Sequence, residues 1–369
     1  MTASAQAVVG IDGTPTVVTI EVDDPGPGEV LVDLKASGVC HTDHDMLGLP
    51  MPFVMGHEGA GVVGAVGDGV TGVAVGDRVV LNWAIPCGHC SNCVAGIRHL
   101  CLNGSPIAGG MKGHADFNRS RYNGTGVYRA FNLGTMSTKT VVKAAAVTKI
   151  STAGRVDEVS FPAAAIVGCG VMTGWGSAVN AANVRPGTAV AVLGCGGVGL
   201  NVIQGARIAG ATTIIGIDPK ETRRQMAIQF GATNIIDPGD EPLDRIAEVA
   251  RGCSPGGLGF DYAFECTAVP ELAVFPLAMV RHGGMAVAVS GVEQEITVDM
   301  RLFEFDKTYI NPLYGQCTPE RDFDRIFALH ASGQMKLDEL VTRTYAIDDV
   351  ATAFDDLLAG RNAKGVLVF

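Results

Sequence analysis

Four cysteines in the first half of the chain have the spacing of a metal-binding loop. They are separated by two, two and seven residues and are Cys87, Cys90, Cys93 and Cys101. Four thiolates this close in sequence can surround one Zn²⁺ tetrahedrally and leave no position open for a substrate, which predicts a structural zinc site. An iron–sulfur cluster would use the same ligands and is the alternative. His89 and His99 lie within the loop and are interpreted as loop residues, because four cysteines already complete the coordination.

A second set of metal-binding residue types is dispersed along the chain. It consists of Cys40, His57 and Cys169, with Glu58 next to His57. Each of these residues alone is more often an ordinary buried side chain, since cysteine behaves as a small hydrophobe. Two thiolates and one imidazole around zinc leave a fourth position that an alkoxide can occupy, which is the chemistry of a catalytic zinc site. Their sequence spacing does not show that they meet in space.

The stretch 194–199 reads G-C-G-G-V-G and matches the G-x-G-x-x-G motif of dinucleotide-binding proteins. It follows an apolar predicted strand, and Asp218 lies nineteen positions after its last glycine. The glycines allow the backbone to approach a pyrophosphate at a helix N-terminus. The Asp218 carboxylate can accept from ribose hydroxyls and would repel a 2′-phosphate, which favours NAD over NADP. The alternative is a glycine-rich turn that only packs a helix on a strand.

The chain has three segments that differ in their pattern of predicted secondary structure, and these elements must position the groups named above. Residues 1–168 alternate in the manner of short antiparallel strands, and the cysteine lobe occupies about 86–102. Residues 169–312 alternate strand and helix, which predicts a doubly wound parallel sheet. Residues 313–369 are mixed and are expected to return to the first domain. The predicted strands are 189–193, 214–217, 262–265, 286–289, 295–299 and 364–369, and the predicted helices are 199–209, 221–230, 320–331 and 350–358.

Composition narrows the function classes. The 369 residues carry a net charge of −11 with no basic stripe, which argues against a nucleic-acid partner. No apolar run has the length of a membrane helix, and the first residues lack a secretion-signal pattern, so we expect a cytoplasmic protein. Ten cysteines without such a signal argue against a disulfide framework. The cysteines outside the two sets are interpreted as packing residues.

Six motifs follow one another along the chain: GVCHTD, GHEGAG, the four-cysteine lobe, GCGVMTGWG, VLGCGGVG and KGVLVF. The chain resembles the zinc-dependent alcohol dehydrogenases of the medium-chain dehydrogenase/reductase superfamily over essentially its whole length, in the style of the class III-like bacterial branch. The resemblance implies an α/β protein with a GroES-like catalytic domain and a Rossmann cofactor domain. It implies hydride transfer between a primary alcohol or aldehyde and NAD through a zinc-bound alkoxide. Two Zn²⁺ per chain and a homodimer or homotetramer are also implied.

The resemblance assigns roles to individual residues. The catalytic zinc ligands are implied to be Cys40, His57 and Cys169, with Glu58 as an alternate ligand. Thr42 is implied to take the substrate proton, Asp45 or the adjacent His44 to stand at the outlet of the proton relay, and Asp43 to hold His57. The residues implied to bind the cofactor are His41, Thr173, Gly194, Gly196, Gly197, Val198, Gly199, Asp218, Arg223, Val292 and Lys364. Trp83 is implied to line the alcohol pocket.

Several alternatives stay open from the sequence. The substrate could be the S-hydroxymethyl adduct of a thiol of the mycothiol or glutathione type, or NAD could be permanently bound, as in a nicotinoprotein. A non-catalytic zinc-binding relative is the alternative outside the enzymes. The basic stretch 111–131, with Lys112, Arg119, Arg121 and Arg129 against Asp116, could receive an anionic substrate tail or be a solvated loop. Strands at 286–289 and 295–299 are expected to pair across a two-fold axis.

Overall fold

A computed structural model describes residues 2–104, 119–150 and 159–369. The chain divides into two compact units, one comprising residues 1–169 and 318–369 and the other residues 170–317. The first unit is built on antiparallel-rich sheets and the second on a parallel sheet. The predicted fold class is therefore confirmed.

The first unit contains two sheets and short helices. Its strands are β1 (Thr2–Ile11), β2 (Thr14–Asp23), β3 (Glu29–Gly38), β4 (Phe53–Val54), β5 (Glu58–Val66), β6 (Arg78–Leu81), β7 (Ser120–Tyr122), β8 (Thr125–Gly126), β9 (Tyr128–Arg129), β10 (Lys139–Lys143), β11 (Val147–Lys149), β18 (Val341–Ala346) and β19 (Lys364–Val368). Its helices are α1 (His41–Asp45), α2 (Ser91–Val94), α3 (Phe161–Ile166), α9 (Pro319–Ala331) and α10 (Val350–Leu358). The strand orders are β8-β7-β2-β1-β4-β9 and β11-β6-β5-β3-β19-β18, with β10 also pairing with β3.

Local sequence explains how this unit is folded. Asp12 and Gly13 both have positive φ angles, which is the geometry of a two-residue turn joining the antiparallel strands β1 and β2. The Ser160 side chain accepts a hydrogen bond from the Ala163 backbone N–H at 3.2 Å and caps α3. Alternating apolar residues of β1, β2 and β10 fill one core cluster between these elements.

The second unit has the βαβ alternation expected from its sequence. Its strands are β12 (Ala189–Leu193), β13 (Thr213–Ile217), β14 (Asn234–Ile236), β15 (Phe260–Glu265), β16 (Val280–Ala288) and β17 (Thr308–Ile310), in the order β14-β13-β12-β15-β16-β17. Its helices are α4 (Met172–Gly176), α5 (Gly197–Ile208), α6 (Glu221–Phe230), α7 (Leu243–Gly252) and α8 (Pro276–Met279). All five strand pairs are parallel.

One predicted element is wrong. Residues 295–299 form no strand and are mostly exposed. Their alternating polarity resembles a strand, but a strand also needs a neighbour whose N–H and C=O groups can pair with its own. Within the described chain this segment has no such neighbour, so the polarity pattern alone does not order it as a strand.

The segment Phe161–Ala181 is a continuous helical run with two π-helical turns, at Val167–Val171 and Ser177–Ala181. It is long and apolar enough to cross a membrane, with a mean hydropathy of 1.3. However, 78% of its most apolar part is buried within the protein, which is the pattern of a helix in a protein core.

Candidate metal and cofactor sites

The dispersed set of metal-binding residues converges in the first unit. The ligand atoms of Cys40, His57, Glu58 and Cys169 all lie within 4.8 Å of one another. His57 and Glu58 are buried, and the two cysteines are half-buried. The structure therefore brings together two thiols, an imidazole and a carboxylate, which is a donor set suited to zinc.

The pairing of β3 with β5 creates this convergence. Cys40 lies two residues after the end of β3, and Glu58 begins β5 opposite Gly38 in the antiparallel register. A Cβ atom on Gly38 would lie 1.9 Å from the Glu58 Oε2 atom, so a side chain there would displace the Glu58 carboxylate. Cys169 enters from the π-helical turn at Val167–Val171, a deviation from α-helix that often occurs at functional sites.

A buried carboxylate orients the histidine of this set. Asp43 Oδ1 lies 3.0 Å from His57 Nδ1 and also accepts from the Gly56 backbone N–H at 3.1 Å. Burial, the largest single effect, lowers the pKa of His57, but Asp43 and Cys40 together raise it by more, so the net direction is upward. A proton held on Nδ1 leaves Nε2 free to act as a metal ligand.

The Glu58 carboxylate is paired with a buried cation, Lys364. Lys364 donates from Nζ to Glu58 Oε1 at 2.8 Å and to the Val39 carbonyl at 3.2 Å. Burial raises the pKa of Glu58 to about 7, against the opposing effect of Lys364. The resemblance implies that Lys364 binds the cofactor, and the structure places its buried ammonium beside the Glu58 carboxylate.

The polar atoms of the set fit a bound zinc ion. Glu58 Oε2 is buried and has no hydrogen-bond partner among the described residues. The hydrogen bond between Cys40 and Cys169 lowers the pKa of Cys40 and raises the pKa of Cys169. A divalent cation among these groups would compensate two thiolates and occupy the carboxylate oxygen.

The implied proton-relay residues lie on α1. The Thr42 hydroxyl is 3.7 Å from Cys40 Sγ and is half-buried. Asp45 is exposed over 79% of its side chain and lies 3.7 Å from His44 Nδ1. His41, at the first position of the same helix, is exposed. The helix therefore leads from the metal-binding set to the surface.

The structure adds an aromatic residue that the sequence analysis missed. The Phe131 ring lies 4.7 Å from the His57 ring and 5.5 Å from the Trp83 ring, edge to face. Both Phe131 and Trp83 are almost completely buried. No motif identifies Phe131 in the sequence, because its position depends on a turn in which its own φ is 54°.

The four-cysteine lobe forms the second candidate metal site. The sulfur atoms of the four cysteines lie within 4.8 Å of one another, and none is in a disulfide. Backbone N–H groups of Cys87 and Gly104 donate to Cys101 Sγ at 3.2 Å each. Such bonds stabilise thiolates. The two histidines of the lobe are outside the ligand group, as predicted; His89 contacts the Cys87 carbonyl instead.

The glycine motif lies at the carboxyl edge of the parallel sheet, directly after β12. A Cβ atom on Gly199 would lie 1.9 Å from the Gly194 carbonyl oxygen, so glycine is required for α5 to begin this close to the strand. Gly196 caps α5, and Gly197 and Val198 are in its first turn. Backbone N–H groups at this edge are available to an anion.

Asp218 follows β13 at the same edge and is 2% exposed. It accepts from the Cys195 and Lys220 backbone N–H groups at 2.9 Å each, which fixes it beside the glycine motif. Arg223 lies 3.8 Å from the same carboxylate. Thr173 is next to Gly174, where a Cβ atom would lie 2.2 Å from the Val198 carbonyl oxygen, so the Thr173 backbone runs close to the glycine motif. Val292 lies in the loop after β16.

The arginines of the basic stretch have structural partners. Arg119 pairs with Glu29 at 2.9 Å, and Arg121 pairs with Asp23 at 2.5 Å. Arg129 is buried and donates to the Val141 carbonyl. These contacts favour a structural role over recognition of an anionic substrate. Lys112 and Asp116 lie outside the described residues.

Comparison with known proteins identifies the family. Residues 26–152 match the alcohol dehydrogenase GroES-like domain, and residues 197–329 match the zinc-binding dehydrogenase domain. The NDMA-dependent alcohol dehydrogenase of Amycolatopsis methanolica is 35% identical over 372 residues, covering 98% of each chain. This chain belongs to the zinc-dependent alcohol dehydrogenases. The S-(hydroxymethyl)glutathione dehydrogenase of Paracoccus denitrificans, 31% identical over 378 residues and 99% of each chain, is a further relative of this alcohol dehydrogenase family member.

A solved structure supports the same assignment. Benzyl alcohol dehydrogenase from Acinetobacter calcoaceticus has a TM-score of 0.87 and 28% identity, covering 100% of this chain and 99% of that chain. The predictions of a zinc-dependent alcohol dehydrogenase, of a GroES-like domain and of a Rossmann domain are confirmed. The protein is therefore an oxidoreductase of a zinc-binding family that acts on small molecules.

Proposed function

We propose that this alcohol dehydrogenase transfers hydride reversibly between a primary alcohol and NAD, with one zinc at Cys40, His57 and Cys169 and a second in the four-cysteine lobe. The observation that carries the proposal is the buried set of two thiols, one imidazole and one carboxylate within 4.8 Å, with the Thr42 hydroxyl beside it. Zinc bound there would polarise the alcohol oxygen and lower the pKa of its hydroxyl group.

The chain's own residues then have separate tasks. Asp43 holds the ring of His57, and Lys364 holds the Glu58 carboxylate, so both ligand side chains are oriented before substrate arrives. Thr42 accepts the alcohol proton and passes it along α1 towards solvent. A bound nicotinamide would accept the hydride of the alcohol carbon, which would become the aldehyde carbon. Buried aromatic rings exclude water from this reaction.

The buried carboxylate of Asp218 supports NAD rather than NADP. Two backbone N–H groups hold it in place, so it cannot swing away from a 2′-phosphate without breaking both hydrogen bonds. Arg223 is near enough to attract such a phosphate, but it already faces Asp218 at 3.8 Å. A fixed acidic group at this edge is expected to bind the ribose hydroxyls of NAD.

Trp83 and Phe131 support an aromatic or long-chain primary alcohol as the substrate. Their rings meet edge to face next to His57, so the apolar surface lies beside the expected position of the reacting oxygen. The name of the Acinetobacter calcoaceticus relative also points to benzyl alcohol as the first compound to test.

Two relatives supply the alternatives. One is named for S-(hydroxymethyl)glutathione, and the other for its dependence on NDMA. A thiol adduct would need an anion-binding group, and the paired arginines Arg119 and Arg121 do not favour that role. A permanently bound cofactor would make turnover depend on an added electron acceptor.

The discriminating experiment measures turnover by the zinc-loaded enzyme with benzyl alcohol, hexanol and ethanol. NAD, NADP, NAD with formaldehyde and a low-molecular-weight thiol, and NDMA without added nucleotide are tested in parallel. The proposal predicts NADH accumulation with NAD alone. Turnover only with a thiol adduct or only with NDMA would replace it by the corresponding alternative. No turnover under any condition, with both zincs bound, would favour a non-catalytic relative.

The oligomeric state and the cellular location of the protein are also proposals. We expect a cytoplasmic homodimer or homotetramer on the resemblance to the family. Light scattering of the purified protein tests the assembly, and a monomer would contradict it.

A further inference from the structure

Glu265 is a fully buried carboxylate that the reaction chemistry does not use. It is the last residue of β15 and is 0% exposed. Oε1 accepts from the Thr267 backbone N–H, from the Thr267 hydroxyl at 2.6 Å and from the Ala268 backbone N–H at 3.0 Å. Oε2 accepts from the Ser290 hydroxyl. No Lys or Arg of the described chain pairs with it, so its hydrogen bonds come from neutral donors alone.

The position of Glu265 relates it to the cofactor edge. It lies opposite Leu193 in the parallel pairing of β12 and β15, and Leu193 immediately precedes the glycine motif. The Glu265 carbonyl also accepts from the Val289 backbone N–H at 2.9 Å, just beyond β16. The carboxylate is therefore placed between two connections that leave the carboxyl ends of neighbouring strands, where ligands of such sheets bind.

The Glu265 side chain holds both of those connections. Ala268 has a φ of 60°, a left-handed conformation that a non-glycine residue adopts only when its surroundings hold it. The Glu265 carboxylate holds it through the Ala268 N–H. Ser290 is two residues before Val292, and the Glu265 side chain fixes it from the neighbouring strand. The Glu265 side chain thus links the 266–269 turn to the 289–292 loop.

We propose that Glu265 is a positioning residue for the dinucleotide, which holds these two connections at the spacing that the bound cofactor requires. The proposal rests on the proposed NAD-dependent function. Glu265 does not touch the reacting atoms in this account, so its loss should weaken cofactor binding before it affects the hydride-transfer step.

Two substitutions separate the contacts from the charge. In Glu265→Gln the amide oxygen can take the Oε1 site, with its three donors, and the amide NH₂ can donate to Ser290 Oγ, which then becomes the acceptor. Every hydrogen bond is kept in that variant. Glu265→Leu fills similar space but leaves the donors of Thr267, Ala268 and Ser290 without their acceptor.

The test measures the Kd of NADH by fluorescence, and the hydrogen exchange of 266–269 and 289–292 in the cofactor-free protein. We expect Glu265→Leu to raise the Kd at least about tenfold and to speed exchange in both segments, while Glu265→Gln stays within about threefold of the unaltered protein. Ser290→Ala should speed exchange mainly in 289–292. Glu271→Leu, which removes an exposed carboxylate in the same connection, is the matched control.

The outcomes separate this proposal from the proposed function. A lowered thermal midpoint in Glu265→Leu with an unchanged NADH Kd would make Glu265 merely structural and overturn the proposal. Unchanged exchange in both segments would overturn the proposed contact mechanism. If the unaltered protein binds NADPH but not NADH, the NAD preference fails, and the same comparison of variants with NADPH decides the role of Glu265. If it binds neither nucleotide, both proposals fail.

Discussion

Replacing Asp43 with alanine tests how the catalytic zinc site is held. The Asp43 carboxylate makes two contacts through one oxygen, to His57 Nδ1 at 3.0 Å and to the Gly56 backbone N–H at 3.1 Å. The other Asp43 oxygen, Oδ2, is buried without a partner among the described residues. Removing this unsatisfied oxygen offsets part of the destabilisation that the substitution causes. A buried N–H left without an acceptor costs about 1–3 kcal/mol, and we expect the lower half of that range for the free energy of unfolding.

The larger effect should be on zinc affinity. Removing the partner that orients a histidine ligand typically weakens metal binding about 10–100-fold. Competition with a chromophoric chelator measures this in Asp43→Ala, and the four-cysteine zinc in the same molecule serves as the internal reference. Asp43→Asn is the matched variant, because its amide oxygen can still accept from Gly56 while the charge is lost. Equal affinities of the unaltered protein and Asp43→Ala for the zinc at Cys40, His57 and Cys169 would show that Asp43 does not orient the histidine ligand.

Three further predictions address the cofactor, the substrate and the pH dependence of stability. Asp218→Ser should lower kcat/KM for NAD about 10-fold or more and raise that for NADP, and a kcat/KM for NADP that does not rise contradicts the assigned discrimination. Phe131→Ala should lower kcat/KM about 10-fold for benzyl alcohol and less for ethanol, because it removes apolar pocket surface; equal effects in steady-state assays would exclude that role. Hydrogen bonds from Tyr345 and Arg361 hold the pKa of Asp356 below its ordinary value, so this group stabilises the native state above that value and loses the effect as the pH falls through the folded pKa. Asp356→Asn should therefore flatten the acid side of the stability profile in denaturant titrations, and an unchanged acid slope counts against this assignment.

The parallel sheet could be predicted from sequence because its signals are local. The strand Ala189–Leu193 and the helices Glu221–Phe230 and Val350–Leu358 have the predicted bounds. Short apolar runs, amphipathic spacing and turn residues act over a few positions, so one sequence contains them. The 295–299 stretch shows the limit, because its alternating pattern says nothing about whether a neighbouring strand is present.

The two metal sites also differ in whether their ligands could be predicted from sequence. The four-cysteine lobe is predictable because its ligands are near in sequence, whereas Cys40 and Cys169 meet only through the register of β3 with β5 and a π-helical turn. Neither the strand register nor the π-helical turn can be predicted from the spacing of these residues in the sequence. Phe131 and Glu265 were missed because an aromatic and a carboxylate are common residue types, and their importance depends on three-dimensional neighbours.

Isotope labelling shows directly whether the alcohol carbon is the source of the transferred hydride. The zinc-loaded enzyme is incubated with NAD and benzyl alcohol deuterated at the reacting carbon, and the reduced nucleotide is analysed by mass spectrometry and NMR. We expect NADH with one deuterium at the nicotinamide C4 and no deuterium released to water. We expect Cys40→Ala to lose both the zinc at this site and product formation. Reduced nucleotide without deuterium, or full turnover by Cys40→Ala with both zincs retained, would contradict these expectations.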